Sequence, residues 1–227
     1  MSTERFFDGR EMFMVHDMFR REFGLMPSVV RGVRAGDRDR TRIVAAHITA
    51  LTTVLHTHHH GEDVHVWPAL LQRGSADVTR VIDLMENQHA RIEELAAEVD
   101  AALEAWWGGA TAECRDALAD LLDRLILLIK DHMRLEEERA VPLMEKYITA
   151  AEWTTMLQVE TGEMDPEALT LGFGMAMYEG DPDIVGAVIS TMPAEVQPVI
   201  QAIATQAYAA HAELIYGTPT PPRSTEL

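Results

Sequence analysis

Two histidine–glutamate pairs, each spaced four residues apart, are the side chains in this sequence best suited to chemistry. The pairs are His58 with Glu62 and His132 with Glu136. Because residues four apart lie one above the other on an α-helix, each pair would present an imidazole and a carboxylate on one face. Both groups are ligands of first-row transition metals. One such pair means little by itself, but two in the same chain indicate a metal site.

Two further histidines, His16 and His89, each stand alone on a predicted apolar helical stripe. In an antiparallel bundle, residues at one depth lie equally far from the turn that joins their helices. His16 precedes the predicted turn at Gly36 by 20 residues, and His58 follows it by 22. The other counts also agree to within about four residues, which is a few ångströms at about 1.5 Å per residue. The sequence therefore predicts one layer containing these two histidines together with His58 and His132.

Four long amphipathic segments must position this layer. Their apolar residues recur three and four positions apart, a spacing typical of helices that pack in a bundle. Breaks at 35–37, 73–75 and 108–109 contain glycine, and Pro142 follows the fourth segment, as expected at helix ends. The first helix is predicted from about residue 10 to 33, and the second ends near 66. The predicted fold is all-α, an up-down-up-down four-helix bundle followed by additional C-terminal helices.

The chain after the bundle carries its own helix-start signals. Residues 149–152 form a capping box, and Asp165-Pro166 and Asp181-Pro182 each place a cap residue before a proline at the first helical position. A last helix is predicted over Ala194 to Tyr216, with no ligand-rich pattern in this part of the chain.

Three regions follow from these signals. Residues 1–147 are predicted to form the bundle with the metal site, and residues 148–217 a helical extension that serves as a lid or as the surface of a homodimer. Residues 218–227, with three prolines, are predicted to be a disordered tail.

Composition narrows the classes of partner. The formal net charge is −18 in 227 residues, which argues against nucleic acid and anionic membranes as partners. The single cysteine, Cys114, excludes an internal disulfide and suits a reducing compartment. No signal peptide and no membrane-spanning apolar run are apparent, so we expect a cytoplasmic protein.

The predicted ligand set also indicates which metal is bound. Four imidazoles and two carboxylates are too many for one tetrahedral zinc and too rich in nitrogen for magnesium or calcium. They suit two first-row ions bridged by the carboxylates, with iron favoured. The six predicted ligands are His16, His58, Glu62, His89, His132 and Glu136.

With these residues, the sequence resembles the bacterial hemerythrin-like (HHE cation-binding) family over about residues 10–147. The motifs that carry the resemblance are His16-Asp17, His58-His59-His60-Gly61-Glu62-Asp63 through Trp67-Pro68, Gln88-His89, and His132-Met133-Arg134-Leu135-Glu136-Glu137. The resemblance implies a four-helix bundle around two non-haem iron ions. Glu62 and Glu136 would bridge them, and an additional oxo or hydroxo bridge is left open.

The sequence departs from the oxygen-carrying members of that family on the third and fourth helices. Those proteins have a second histidine on the third helix, where this chain has Met85 or Glu93, and His-x-x-x-x-Asp on the fourth, where it has His-x-x-x-Glu. An iron would then have an open position, or Glu86 or Glu93 would complete its coordination. Reversible oxygen storage is correspondingly less expected.

The remaining histidines are not predicted to be ligands. His56, His59 and His60 turn away from His58 on a helix and are expected to be solvated or to lie behind the ligands. His47 is expected either to be buried behind the ligands or to have no such role. His65 is placed at the mouth of the site, and His211 at the surface.

A rival metal site is built from Glu-x-x-His spacing, which occurs at Glu62–His65 and Glu86–His89 as in ferritin-like proteins. It leaves His16 and His132 unexplained. For function, the first hypothesis is a protein that binds oxygen, nitric oxide or iron in a sensing or buffering role. The alternatives are an enzyme that acts on peroxide or another small oxidant, and a bundle with a purely structural role.

Overall fold

The structure, a computed structural model, describes residues 5–162 and 164–227, and these form a succession of helices. The helices are α1 (Arg10–Gly32), α2 (Arg38–Gly61), α3 (Trp67–Arg73), α4 (Ala76–Gly109), α5 (Ala112–Arg139), α6 (Val141–Tyr147), α7 (Ala150–Thr161), α8 (Pro166–Met177), α9 (Pro182–Thr191) and α10 (Gln197–Tyr216). Within the described ranges the β-structure is limited to an isolated antiparallel bridge between Phe6 and Thr149.

Helices α1, α2, α4 and α5 form the predicted antiparallel four-helix bundle. Helix α1 packs against α2 and α5, and α4 packs against the same two helices, so the four close a ring. The connections are short, and side-chain caps begin two of the helices: Asp37 accepts from the Arg40 N–H, and Thr111 accepts from the Cys114 N–H. The prediction of an all-α bundle with additional C-terminal helices is confirmed.

The second helix does not end at Trp67-Pro68. Residues Glu62–Val66 form one π-helical turn, in which the Trp67 N–H donates to the Glu62 carbonyl, and α3 continues the helix to Arg73. An α-helical proline would clash with the carbonyl four residues before it. The wider π-turn provides space for Pro68, and such turns are frequent at functional sites.

Two apolar clusters lie on either side of the histidine layer. The larger fills the end of the bundle beyond the histidines with Phe19, Leu51 and Leu125 among its members. The smaller includes Met12, Trp67 and other residues from the opposite end. Because the layer lies between two apolar clusters, its side chains are buried, and their polar atoms must find partners within the layer.

The C-terminal helices pack on the outside of the bundle. Helix α8 packs against α10 and α1, and α10 also contacts α2. The capping box of Thr149 and Glu152 is confirmed, as are the caps at Asp165 and Asp181. The last helix begins at Gln197 rather than Ala194 and stops, as expected, before Gly217, whose φ is +74°.

The tail, for which the sequence predicts disorder, forms hydrogen bonds with residues of the C-terminal extension. Ser224 donates from its backbone N–H and from its hydroxyl to the Glu179 carboxylate, each at 2.9 Å, and the Tyr178 hydroxyl donates to the Pro221 carbonyl. These hydrogen bonds give the tail fixed partners that its proline-rich composition does not reveal. The division into residues 1–147, 148–217 and 218–227 stays a prediction, and its first four residues lie outside the described chain.

No helix among the described residues is both long and apolar enough to cross a membrane.

Candidate metal centre

The six predicted ligands converge on one layer of the bundle. His16 comes from α1, His58 from the last turn of α2, Glu62 from the π-turn, and His89 from α4. His132 and Glu136 come from α5, one turn apart. Their side chains are nearly or completely buried, and the most exposed of them, His58, has 11% of its side-chain surface accessible.

The side chains fall into groups whose potential ligand atoms all lie within 4.8 Å of one another. One group is His16, His58 and Glu136, and a second is His59, His89 and His132. A third contains Glu62 and Glu136 together with His132 and so connects the two. The layer therefore has two lobes: a two-histidine lobe built on α1 and α2, and a three-histidine lobe built on α2, α4 and α5.

The two glutamates are buried beside each other. Glu62 is 1% exposed and Glu136 is 0% exposed. Burial and the nearby charge of Glu136 raise the pKa of Glu62 to about 8, whereas for Glu136 the surrounding histidines outweigh burial and lower the pKa. Two buried carboxylates at this separation repel each other unless protons or cations compensate their charge.

Most polar atoms that face into the layer have no hydrogen-bond partner. These buried atoms are Nε2 of His16, Nε2 of His58, and both carboxylate oxygens of Glu62 and of Glu136. Several lie close to one another, for example His16 Nε2 at 3.2 Å from a Glu136 oxygen and His58 Nε2 at 3.3 Å from a Glu62 oxygen. Atoms that lie this close without hydrogen-bond geometry could share a cation as ligands.

In three of these histidines, the ring nitrogen Nδ1, which points away from the layer, lies close to a side-chain oxygen. His16 Nδ1 lies 2.8 Å from Glu137, and His89 Nδ1 lies 2.8 Å from Asp63. His132 Nδ1 lies 3.4 Å from the Gln88 amide oxygen. Because these oxygens accept hydrogen bonds, each Nδ1 carries a proton and each Nε2 faces the layer, where its lone pair can serve as a ligand once any second proton is lost. This is the usual arrangement of metal-ligating histidine.

The contact between His89 and His132 requires a further proton when no metal is bound. Their Nε2 atoms are 3.2 Å apart, and if both Nδ1 atoms carry protons, no proton remains to join the two Nε2 atoms. In the metal-free protein, one of the pair must therefore be protonated. The carboxylates of Asp63 and Glu62 outweigh burial and raise the pKa of His89 to about 10, while burial lowers that of His132 to about 4.

The sequence matches the family described as "Hemerythrin HHE cation binding domain" over residues 10–156, more than half of the chain. The chain belongs to this family. No curated protein and no solved structure matches it at a significant level. Membership in the hemerythrin family agrees with a cation-binding role for the layer, and the donor set of imidazoles and carboxylates fits first-row metals.

One residue of this hemerythrin-family site, His59, was not among the six predicted ligands. It is 8% exposed, its ring stacks on His89 with centroids 4.1 Å apart, and it belongs to the three-histidine lobe. The expectation that it is solvated or lies behind the ligands is wrong. His58 faces His16 and Phe19, whereas His59 faces His89 and His132, so two adjacent residues serve the two lobes.

His59 brings into the layer an imidazole of the kind whose absence from the third helix suggested an incomplete site. Neither glutamate considered for that role contributes, because Glu86 is exposed and Glu93 lies at the surface opposite His56, 3.5 Å from it. The run of three consecutive histidines, His58-His59-His60, was a signal for this position. It could not be used from sequence alone, because which of two adjacent residues faces the core depends on the neighbouring helices.

The other histidines lie elsewhere. His56 and His60 are exposed, as expected. His65 pairs with Glu160 of α7 at 3.0 Å, at the edge of a cavity of about 350 Å³ that Val66, Trp153 and Met156 also line. Because His65 and Glu86 both point away from the layer, the ferritin-like alternative is not supported.

His47 and His211 belong to a separate buried cluster. His47 is 2% exposed, and its Nδ1 lies 2.9 Å from Nε2 of His211. The expectation that His211 is a surface residue is wrong, because α10 packs against α2 and turns this side chain inwards.

Proposed function

We propose that this protein holds two iron ions in its histidine layer and uses them to bind a small ligand, oxygen or nitric oxide, in a sensing or buffering role. The main observation in support is a set of buried nitrogen and oxygen atoms without a hydrogen-bond partner, which belong to His16, His58, Glu62 and Glu136. These side chains lie in groups whose potential ligand atoms are within 4.8 Å of one another. Leaving such atoms unpartnered costs about 1–3 kcal/mol each. Two bridged cations would compensate both carboxylates at once.

The seven side chains proposed as ligands divide unequally between the two lobes. The three-histidine lobe has His59, His89 and His132, whereas the other lobe has His16 and His58 with Glu136. Glu62 and Glu136 are proposed to serve both. Because the two-histidine lobe has fewer protein ligands, it is the proposed position for an external ligand.

Iron supplies the reversible bonding to diatomic molecules, and the chain controls what can reach it. Apolar residues on both sides of the layer, including Met12 and Phe19, exclude water and charged solutes. Glu137 and Asp63 keep His16 and His89 oriented by accepting from Nδ1. Within the described part of the chain, the two carboxylates beside the layer, Glu137 and Asp63, are already engaged with the ligand histidines, which favours small ligands over a bulky organic substrate.

Elemental analysis of the purified protein tests the first part of this proposal. We expect two metal ions per chain, mainly iron, and one zinc ion or no metal in a folded protein would contradict it. Stopped-flow spectroscopy then separates the two functions. A binding protein gives a stable and reversible spectrum with oxygen or nitric oxide, whereas sustained consumption of hydrogen peroxide would favour the enzymatic alternative.

A further inference from the structure

Helix α1 has a second buried face, on the side away from the bundle core. Arg21 and Glu22 are both 0% exposed. Arg21 donates to the Met175 carbonyl at 2.6 Å and pairs with Glu179, and both of these partners belong to the C-terminal extension. The extension therefore covers two charged residues of α1 that the four-helix bundle alone would leave at its surface.

Glu22 is the centre of this cluster. One of its oxygens accepts from the Tyr208 hydroxyl at 2.6 Å and from Arg21 Nε at 2.9 Å. The other accepts from the Tyr216 hydroxyl at 2.5 Å and lies 3.4 Å from His47 Nε2. We call this cluster the Glu22 network. Its members are Arg21, Glu22, His47, Glu179, Tyr208, His211 and Tyr216.

The Glu22 network joins α1 to α2 through α10. Tyr216 contacts Glu22 on α1 and also His47 on α2, whose Nε2 lies 3.2 Å from the tyrosine hydroxyl. His211 contacts the other nitrogen of His47. Arg40 of α2 donates to the Leu214 and Ile215 carbonyls at the end of α10. One face of α10 is thus hydrogen-bonded to both helices.

These two helices supply the histidines of the two-histidine lobe. Glu22 lies six residues after His16, and His47 lies eleven residues before His58. Between them Phe19 packs on the His58 ring with centroids 5.4 Å apart. Helices α1 and α2 touch each other less extensively than α4 and α5 do. Their spacing therefore depends more on the bridge that α10 provides.

We propose that Tyr208 and Tyr216 are positioning residues: through Glu22 and His47 they hold α1 and α2 at the spacing that brings His16 and His58 together. The C-terminal extension thereby sets the metal affinity of the two-histidine lobe, and it affects the three-histidine lobe less, because His59 is the one histidine of that lobe that these two helices supply. This inference rests on the proposed metal-binding function. By linkage, metal in the two-histidine lobe strengthens the docking of α10 by the same factor.

The test is a titration of metal-free protein with Co²⁺, followed by the visible absorption of the bound ion. The variant Tyr208→Phe/Tyr216→Phe removes both hydroxyl donors to Glu22 and keeps the rings. Tyr178→Phe is the matched control, because its hydroxyl bonds to Pro221 within the C-terminal region. The same titration in a His59→Ala background assigns the steps, since the two-histidine lobe alone then remains intact.

We expect the double variant to bind Co²⁺ about tenfold more weakly in the two-histidine lobe and within about twofold of the wild type in the other. The control should match the wild type in both. Equal weakening of both lobes, or no change in either, would overturn the inference while the metal-binding function stands. A wild-type protein that binds no Co²⁺ would remove the proposed function as well.

A second measurement has its main readout in the unaltered protein, which does not depend on how the variants fold. Hydrogen exchange of the α10 amides should slow by about tenfold when Co²⁺ is added to the metal-free wild type, and this gain should disappear in the double variant. Protection of α10 that does not respond to Co²⁺ would overturn the proposed coupling.

Discussion

The ligand layer and the Glu22 network both bury charged side chains, and both include residues of α1. They differ in how their buried carboxylates are compensated. In the network, the Glu22 carboxylate accepts hydrogen bonds from Arg21, Tyr208 and Tyr216. In the layer, the oxygens of Glu62 and Glu136 have no hydrogen-bond partner. The first cluster is complete within the protein, and the second leaves carboxylate oxygens unpartnered, as the proposed cation site requires.

This difference shows that buried histidines and carboxylates do not by themselves indicate a metal site. His47, His211 and Glu22 include the same residue types as His16, His58 and Glu136, but only the second set places its ligand atoms within 4.8 Å of one another. The deciding feature is whether donors such as tyrosine and arginine satisfy the carboxylate. Where they do, a metal has no remaining ligand atoms to bind.

The largest effect is expected from neutralising the carboxylates of the layer. Glu62→Gln and Glu136→Gln should each weaken metal binding by more than about 100-fold, since changes behind the ligands already cost about 10–100-fold. Glu22→Gln, at an equally buried position, acts only through the Glu22 network and should weaken binding by no more than about tenfold, so elemental analysis should still find two ions per chain, as for the exposed Glu93→Gln. Equal metal content in all four variants would remove the distinction between the clusters.

The adjacent histidines His59 and His60 provide a matched pair. His59→Ala should lose one of the two ions, because it removes a ligand of the three-histidine lobe, whereas His60→Ala should keep both, because His60 is exposed. Elemental analysis of the two variants checks this. If His60→Ala loses metal and His59→Ala does not, the structural assignment of the two side chains is reversed.

Metal removal should loosen the layer far more than the network. Hydrogen exchange should speed up by well over tenfold in the turns around His16, His58, His89 and His132, whose polar atoms lose their partners. Around Glu22, the exchange rate should rise by only about tenfold, which is the effect expected from the coupling through α10. Uniform loss of protection along the bundle would show that the layer is not separately held by metal.

The smallest expected effect is the release of protons on metal binding. The carboxylates around His16 outweigh its burial and raise its pKa to about 9, and the pKa of His89 is raised to about 10. Both histidines are therefore protonated at pH 7 in the metal-free protein and must lose those protons to bind a cation, so apparent affinity should rise with pH up to about 9.

Calorimetry in two buffers with different ionisation enthalpies measures the number of protons released. The network should contribute none, because burial and the nearby His47 lower the pKa of His211 to about 4, which leaves it neutral at pH 7. Metal binding that releases no proton at pH 7 would contradict the protonation of His16 and His89.

Local periodicity was sufficient to predict the bundle and most of its site. Residues three and four apart share a helix face whatever surrounds the helix, so the stripes that carry His16, His89 and the pair His132–Glu136 could be recognised in the sequence. Helix caps such as Thr149 and Asp165 are also local, because their hydrogen bonds close within three residues.

Only the tertiary structure decided the features that depend on which helices meet. His59 faces the three-histidine lobe because α2 lies between α1 and α4, so that neighbouring side chains reach different lobes. Glu22 is buried because α10, nearly 200 residues away in the chain, supplies Tyr208 and Tyr216. Both outcomes arise from contacts between distant segments, whereas the sequence pattern of a single helix reports its own periodicity and not the helices that will cover its second face.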